Sequence, residues 1–247
     1  MTAPMGKTAN LMPALTRADV RHRLNLSRAI HQRGDETTAL RLRESADIRP
    51  FDKTKFNPES RGGLPGNVAP THRASEPRRP AAVLVPLVDR PEGFTVLFTQ
   101  RTTHLKSHSG QISFPGGRLE PGDADAEAGA LRETAEEIGL PAACIEVLGR
   151  LDPYLTVTGF EVTPVVGAVM LPFRLAPDPR EVADVFEVPL AFLLDRANHQ
   201  HHSRTIIESS GKEAVRAYYA IPFGDRYIWG ATAGMLINLY EVLTANL

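Results

Sequence analysis

The chain has 247 residues, 42% of them hydrophobic, and a net charge of −1. That length and apolar content suit one sizeable domain with an extension, or two small ones, and exclude wholesale disorder. No run approaches the roughly 18 apolar residues of a membrane span, and no signal-peptide core opens the chain, so the expectation is a cytoplasmic protein with no membrane partner. Mitochondrial and peroxisomal locations stay open.

The near-zero charge hides an asymmetry: residues 1–80 hold 15 Lys/Arg against 8 Asp/Glu. No basic cluster there alternates with aromatics, as single-strand binders require, so a solvated extension is expected rather than a nucleic-acid arm. Within it, residues 13–45 contain one amphipathic helix, opened by the Thr-x-x-Asp of "TRADVRHRL". Residues 57–80, "NPESRGGLPGNVAPTHRASEPRRP", concentrate Pro, Gly, Ser and Arg and read as linker. The expected organisation is therefore an extension over 1–56, a linker over 57–80 and a folded domain over 81–247.

"AAVLVPLV" (81–88) and "FTVLFTQR" (94–101) flank a turn-forming "DRPEG" and predict a hairpin, with Pro86 marking an edge or a bulge. A glycine-rich loop, "SFPGGRLEPGD", precedes a helix over 124–138. Strands follow in "IEVLGRLDPYL" and "FEVTPVVGAVM", then a strand entering a short helix through Pro189. "NHQHHS" (198–203) reads as a hairpin turn rather than a metal site. "AVRAYYAIPFG" and "RYIWG" predict strands, with Trp229 a packing residue, and "ATAGMLINLYEVL" a closing helix. The single cysteine, Cys144, sits in apolar "PAACIEVLG" and reads as core; a disulfide framework and a multi-cysteine zinc site are excluded. Strands interleaved with few helices indicate an α/β (or α+β) fold with a mixed sheet.

On the helix over 124–138, Ala124, Ala128, Leu131, Ala135 and Ile138 form an apolar stripe expected to face the core. Glu133, Glu136 and Glu137 project from the other side, at the helix end whose dipole disfavours carboxylates. Asp123 or Asp125 caps the start; Gly139 and Pro141 stop it. A hard divalent cation turns this repulsion into coordination, and Gly116 and Gly117 permit main-chain groups to approach metal or substrate closely.

"GGRLEPGDADAEAGALRETAEEIGL" resembles the Nudix box, G-x5-E-x7-R-E-U-x-E-E-x-G-U with U apolar. Thr134 departs from an apolar position, Asp123 stands for the first Glu, and one extra residue separates it from Arg132. The preceding "LFTQRTTHLKSHSGQISFPGG" (97–117) is similar to the segment before the box in the coenzyme A pyrophosphatase branch, with Thr102 and Lys106 replacing Ser/Ala and Arg. The resemblance covers about 81–245. It implies a Nudix-type α/β/α sandwich and Mg²⁺- or Mn²⁺-dependent hydrolysis of coenzyme A and its thioesters to 3′,5′-ADP and 4′-phosphopantetheine or its acyl form.

The same resemblance makes Glu133 and Glu137 metal ligands, with Glu136 assisting and the Gly117 carbonyl completing the shell. Arg132 is expected to orient a glutamate. Arg101, Lys106 and Arg118, with Gly116 and Gly117, are expected to meet the substrate's phosphates; His104 and His108 share that loop. The general base stays open among the box glutamates and Glu187. Rival readings are another Nudix substrate such as ADP-ribose, and a catalytically silent Nudix-fold binding module. A homodimer is left open.

Overall fold

A computed structural model describes residues 15–26, 33–43, 49–50, 76–104, 109–207 and 213–245. "AAVLVPLV" grows into strand β3 (Arg79–Arg90) and "FTVLFTQR" into β4 (Gly93–Arg101). They pair antiparallel from Leu87↔Val96 to Arg90↔Gly93, so the expected hairpin forms. The edge or bulge at Pro86 does not: β3 lies inside the sheet. On one side it runs parallel to β9 (Phe160–Val169), from Arg79↔Phe160 to Val88↔Val169. On the other it pairs first with β6 (Gly116–Arg118), at Ala81 to Val83, and then with β4 from Leu87. Pro86 falls in the gap between these two partners. Leu84, on the same edge two residues earlier, gives its N–H to the Pro115 carbonyl at 2.9 Å, so the missing N–H at 86 costs no ladder bond.

Five more strands complete this mixed sheet: β1 (Arg33–Gly34), β5 (Ile112–Ser113), β7 (Ile145–Arg150), β8 (Tyr154–Leu155) and β10 (Val182–Pro189). The order is β1-β8-β9-β3-β4-β10, with β5 beside β4, β6 beside β3 and β7 beside β9. Alternate residues of β3 serve two cores. Ala82, Leu84 and Val88 join Val165 and Val169 under helix α3 (Ala126–Ile138), which contributes Ala126, Ala130 and Ile138; half-buried Cys144 packs there too. Ala81, Val85 and Leu87 join Val162 and Val166 on the opposite face, under α1 (Arg17–Leu26) and α5 (Gly230–Thr244). Helices on both faces of a mixed sheet make the expected α/β/α sandwich.

β10 leads through Pro189 into the short α4 (Leu190–Leu193). A second sheet follows, from β2 (Arg49–Pro50), β11 (Gln200–Ile207), β12 (Glu213–Phe223) and β13 (Arg226–Trp229), in the order β13-β12-β11-β2. The hairpin turn expected at "NHQHHS" is corrected to the start of β11. His201 and His202 alternate across that strand, against Tyr219 and Tyr218, because ring-sized side chains pack on a pleated surface. Trp229 packs beside Tyr218, Ala220 and Tyr227.

The single N-terminal helix is two, α1 and α2 (Asp35–Arg43), with residues 27–32 between them outside the described part. The Thr-x-x-Asp signal at α1 forms its box: Thr16 N–H donates to Asp19 at 2.8 Å and Asp19 N–H to the Thr16 hydroxyl at 3.1 Å. A solvated extension is not what these helices make. Val20, Leu24 and Leu42 are buried in the α5-side core. Their basic neighbours find acids across the chain: Arg17 bonds Asp89 at 2.7 Å, while Arg33 bonds Asp152 at 2.8 Å and Glu241 at 2.7 Å. Half-buried Asp35 accepts from the Tyr154 hydroxyl at 2.9 Å and the Val157 amide at 2.8 Å. Residues 57–75 of the expected linker lie outside the described part, and its last two residues already belong to β3. Among the described residues no helix is long and apolar enough to cross a membrane.

Tyr154 also sets a steric limit on α5. A methyl group at Gly234 would stand 2.5 Å from its ring. Helix propensity alone predicts that Gly234→Ala stabilises; crowding predicts the reverse, a loss of about 1–3 kcal/mol. Urea unfolding should show a lower midpoint for the variant.

Candidate active site

Helix α3 is pinned at both ends. Asp125 caps it by accepting the Ala128 N–H at 2.9 Å, and Gly139, left-handed at φ 68°, closes it. The last carbonyls, which a helix leaves unsatisfied, are taken by another segment: Ala176 N–H reaches Ile138 at 2.8 Å and Asp178 N–H reaches Glu137 at 2.9 Å. The expected apolar stripe is corrected. Ala126, Ala130, Thr134 and Ile138 face the sheet, while Ala124 and Ala135 are exposed and Ala128 and Leu131 half-buried. Thr134 is tolerated in that core because its hydroxyl bonds the Ala130 carbonyl at 2.7 Å.

This rotation gives the three glutamates different surroundings. Glu137 is turned inward, only 8% exposed. Its Oε2 accepts the Gly116 N–H at 3.1 Å, and Arg101 Nη1 lies 3.8 Å from its Oε1. Burial dominates and pushes its pKa up to about 7; the Gly116 bond and the Arg101 charge oppose this, and the charges of Glu133 and Glu181 add to it. Glu133 lies over Gly117 so closely that a Cβ there would sit 2.5 Å from its carboxylate. Its pKa is also raised, chiefly by burial. Glu136, with 61% of its side chain exposed, is held by Arg132 at 3.1 Å. Gly116 has φ +149° and the Ala82 carbonyl against its missing side chain, so only glycine presents its N–H to Glu137 this way.

Arg132 joins these parts. It grips Asp123 with Nε and Nη2, each at 3.0 Å, donates to the Arg118 carbonyl at 3.1 Å, and reaches Glu133 and Glu136 through Nη1 at 3.0 and 3.1 Å. Asp123, accepting also from the Glu120 N–H at 2.8 Å, is held below the usual carboxylate range, first by Arg132. The extra residue in the box leaves this grip intact.

Glu133, Glu136, Glu137, Arg132, Arg101, Gly116 and Gly117 are therefore brought together. Other expected residues are not. The Arg118 side chain lies on the opposite face of β6, 5.4 Å from the Phe160 ring centre. Glu187 is engaged elsewhere, accepting from Arg90 at 2.6 and 3.1 Å and from the Thr95 hydroxyl, near the β3–β4 turn rather than the Arg101 end of β4. Lys106 and His108 lie outside the described residues, and exposed His104 touches the Thr102 hydroxyl at 3.5 Å. Asp123, expected as a helix cap or as the first acid of the box, leaves the cap to Asp125 and holds Arg132 instead. Glu181 was not among the expected residues: Thr102 N–H bonds its carbonyl at 2.9 Å, bringing a distant turn to the site.

Among the described residues no three acidic, His or Cys side chains converge as a complete metal cage. The donor set nonetheless suits a hard cation. Two carboxylates lose hydration beside each other, and Mg²⁺-type ions take one or two carboxylates, with waters and phosphate oxygens for the rest.

A model of the NUDIX domain matches residues 77–208. A protein of Escherichia coli (strain K12) described as an uncharacterized Nudix hydrolase, NudL, is 42% identical over 163 residues, covering 65% of this chain and 81% of its own. The protein of that name from Shigella boydii serotype 18 matches to the same extent. A solved MutT/nudix family protein from Enterococcus faecalis is 18% identical, with a TM-score of 0.43 over 68% of this chain and 62% of its own. With the Glu133–Glu137 helix and its arginine in place, the chain belongs to the Nudix hydrolases, a family that acts on nucleoside diphosphate derivatives and generally uses divalent cations.

Proposed function

We propose that this chain hydrolyses the diphosphate of coenzyme A and of its thioesters, with Mg²⁺ or Mn²⁺, giving 3′,5′-ADP and 4′-phosphopantetheine or its acyl form. The observation that carries the reading is Arg101. It ends β4, its Nη1 stands 3.8 Å from Glu137, and among the described residues its buried Nε has no hydrogen-bond partner. A buried guanidinium donor left open beside metal-seeking carboxylates calls for an anion, and a diphosphate supplies the right one. The stretch 97–117, whose pattern is similar to the coenzyme A branch, runs from β4 to β6 and so frames this pair.

Each residue then has a task. Glu133 and Glu137 hold the cation, with the Gly117 main chain beside them. The cation, when bound, neutralises the diphosphate and lowers the pKa of water for in-line attack. Gly116 fixes Glu137 through its N–H. Arg132 is saturated by Asp123, Glu133, Glu136 and the Arg118 carbonyl, so it positions carboxylates instead of gripping substrate. Arg101 binds and orients the diphosphate. Glu181 adds negative charge at the rim.

The test is a panel of coenzyme A, acetyl-coenzyme A, ADP-ribose and dinucleoside polyphosphates with Mg²⁺, with products identified by mass spectrometry. Coenzyme A and its thioester should yield the two halves named above; turnover of ADP-ribose alone would refute the assignment. Since changes to groups that merely support a metal ligand cost 10–100-fold, Glu137→Gln should lower kcat/KM by at least about 100-fold.

A second prediction concerns pH. The folded-state pKa of Glu137 is raised to about 7, so in metal-free protein its contribution favours folding at low pH and is lost as pH rises through about 7. In EDTA at pH 8, Glu137→Gln should melt a few degrees above the native chain, and the gap should close by pH 4, below the ordinary carboxyl value of 4.5. Mg²⁺ at pH 8 should raise the melting temperature of the native chain but not that of the variant. Identical responses to Mg²⁺ would show that Glu137 is no ligand.

A further inference from the structure

The described surface carries a second arrangement of charge that the carboxylate site does not use. Strand β6 reads Gly-Gly-Arg. Gly117 turns its bare Cα to Glu133 on the α3 face, so Arg118 projects to the other face. There it meets Phe160, with its guanidinium carbon 5.4 Å from the ring centre. Arg79 lies over the same ring at 4.0 Å. Phe160 and Arg79 are register partners on β9 and β3, whereas Arg118 pairs with Ala81, so Arg118 reaches across β3 over a small residue.

Two guanidiniums thus share one phenyl ring. Arg79 also donates to the Thr158 carbonyl at 2.8 Å, and neighbouring Arg78 to the Thr156 carbonyl at 2.9 Å, which fixes the stem of the cluster. Arg79 and Arg118 are both exposed, and among the described residues neither has a carboxylate within ion-pair reach. Like charges held together by an aromatic platform, with the remaining guanidinium donors unpaired among the described residues, form a receptor for a dianion; arginine suits phosphate through paired donors.

Its position says which phosphate. Arg118 follows Gly117 directly, and Arg132 holds the Arg118 carbonyl at 3.1 Å, so the patch is rigidly tied to the carboxylate site. Among the described residues β3 is the only strand paired with β6; along the other edge Glu137 takes the Gly116 N–H and Arg132 the Arg118 carbonyl, so the residues of the carboxylate site border the strand that carries Arg118. In coenzyme A the diphosphate leaves the ribose at the 5′ carbon and a phosphate monoester at the 3′ carbon. A ribose beside Arg118 would direct its diphosphate toward the carboxylates and its 3′-phosphate toward Arg79 and Arg118.

We propose that Arg79 and Arg118, stacked on Phe160, form a subsite for the 3′-phosphate and set the preference for coenzyme A over its 3′-dephospho form. This rests on the coenzyme A reading above. A site built for a charged group discriminates against the analogue lacking it, because its donors are then left unpaired.

The experiment compares kcat/KM for coenzyme A and 3′-dephospho-coenzyme A in the native chain, Arg79→Gln and Arg118→Gln, all with Mg²⁺. The native chain should favour coenzyme A at least tenfold, and each variant should cut that ratio about tenfold. An unaltered ratio, or an equal loss for both substrates, overturns the subsite. If Arg118→Gln disturbs β6, as a thermal melt would show, Arg79→Gln decides alone. If the native chain turns over neither coenzyme, the coenzyme A reading fails and binding judges the subsite. By calorimetry, tighter binding of 3′,5′-ADP than of 5′-AMP, lost in Arg79→Gln, would sustain it; equal affinities would end it.

Discussion

The guanidinium of Arg132 is the interaction on which the site depends. Three carboxylates near a helix C-terminus repel one another and the helix dipole. Arg132 supplies their permanent counter-charge, and it spreads that charge over three elements: the loop through Asp123, strand β6 through the Arg118 carbonyl, and helix α3 through Glu133 and Glu136. An arginine has five N–H donors in a rigid fork. Directing all three nitrogens at named acceptors fixes loop, strand and helix relative to each other before any cation arrives. A lysine, with a single pivoting point of charge, could not impose that geometry.

Glu137 is the complement of this arrangement, a carboxylate that the protein declines to satisfy. It has one N–H from Gly116 and a guanidinium at 3.8 Å, against burial and two neighbouring carboxylates. Chains gain stability by removing such groups, and active sites are where they persist. The contrast with Glu187 is instructive. That residue, partly buried too, receives a bidentate arginine and a threonine hydroxyl, and has nothing left to offer a ligand. The number of partners a carboxylate lacks, more than its burial, separates a site from a structural ion pair.

How much of this was legible depends on what each signal measures. The β3–β4 hairpin and α5 were readable because alternation and three-to-four spacing report burial directly. The rotation of α3 was not. Its alanines occur on every side, so the line through Ala124, Ala128, Leu131 and Ala135 read as the buried face, whereas the true buried line includes Thr134 and abuts Glu137. The docking of α1 and α2 was hidden for a related reason: Val20, Leu24 and Leu42 are few among many charged residues, and the acids that neutralise Arg17 and Arg33 lie far along the chain. "NHQHHS" looked like a turn by composition, yet β12 offered it aromatic partners. In the site, the box glutamates and Arg132 were legible as a motif. Glu181 was not, since only the approach of Thr102 to its carbonyl brings it near.

The least conspicuous element organises the most chemistry. Strand β6 has three residues, and each is used for what its side chain is or lacks. Gly116 adopts a backbone closed to other residues and gives its N–H to Glu137. Gly117, having no Cβ, lets Glu133 settle on the main chain. Arg118 gives its carbonyl to Arg132 and sends its charge to the far face. Because side chains alternate across a strand, Arg118 lies on the face opposite the one where Glu133 packs against Gly117, and the two charges do not pair. The strand thus keeps the α3 carboxylates on one face and the arginines beside Phe160 on the other, with Arg132 joining the two through the Arg118 carbonyl.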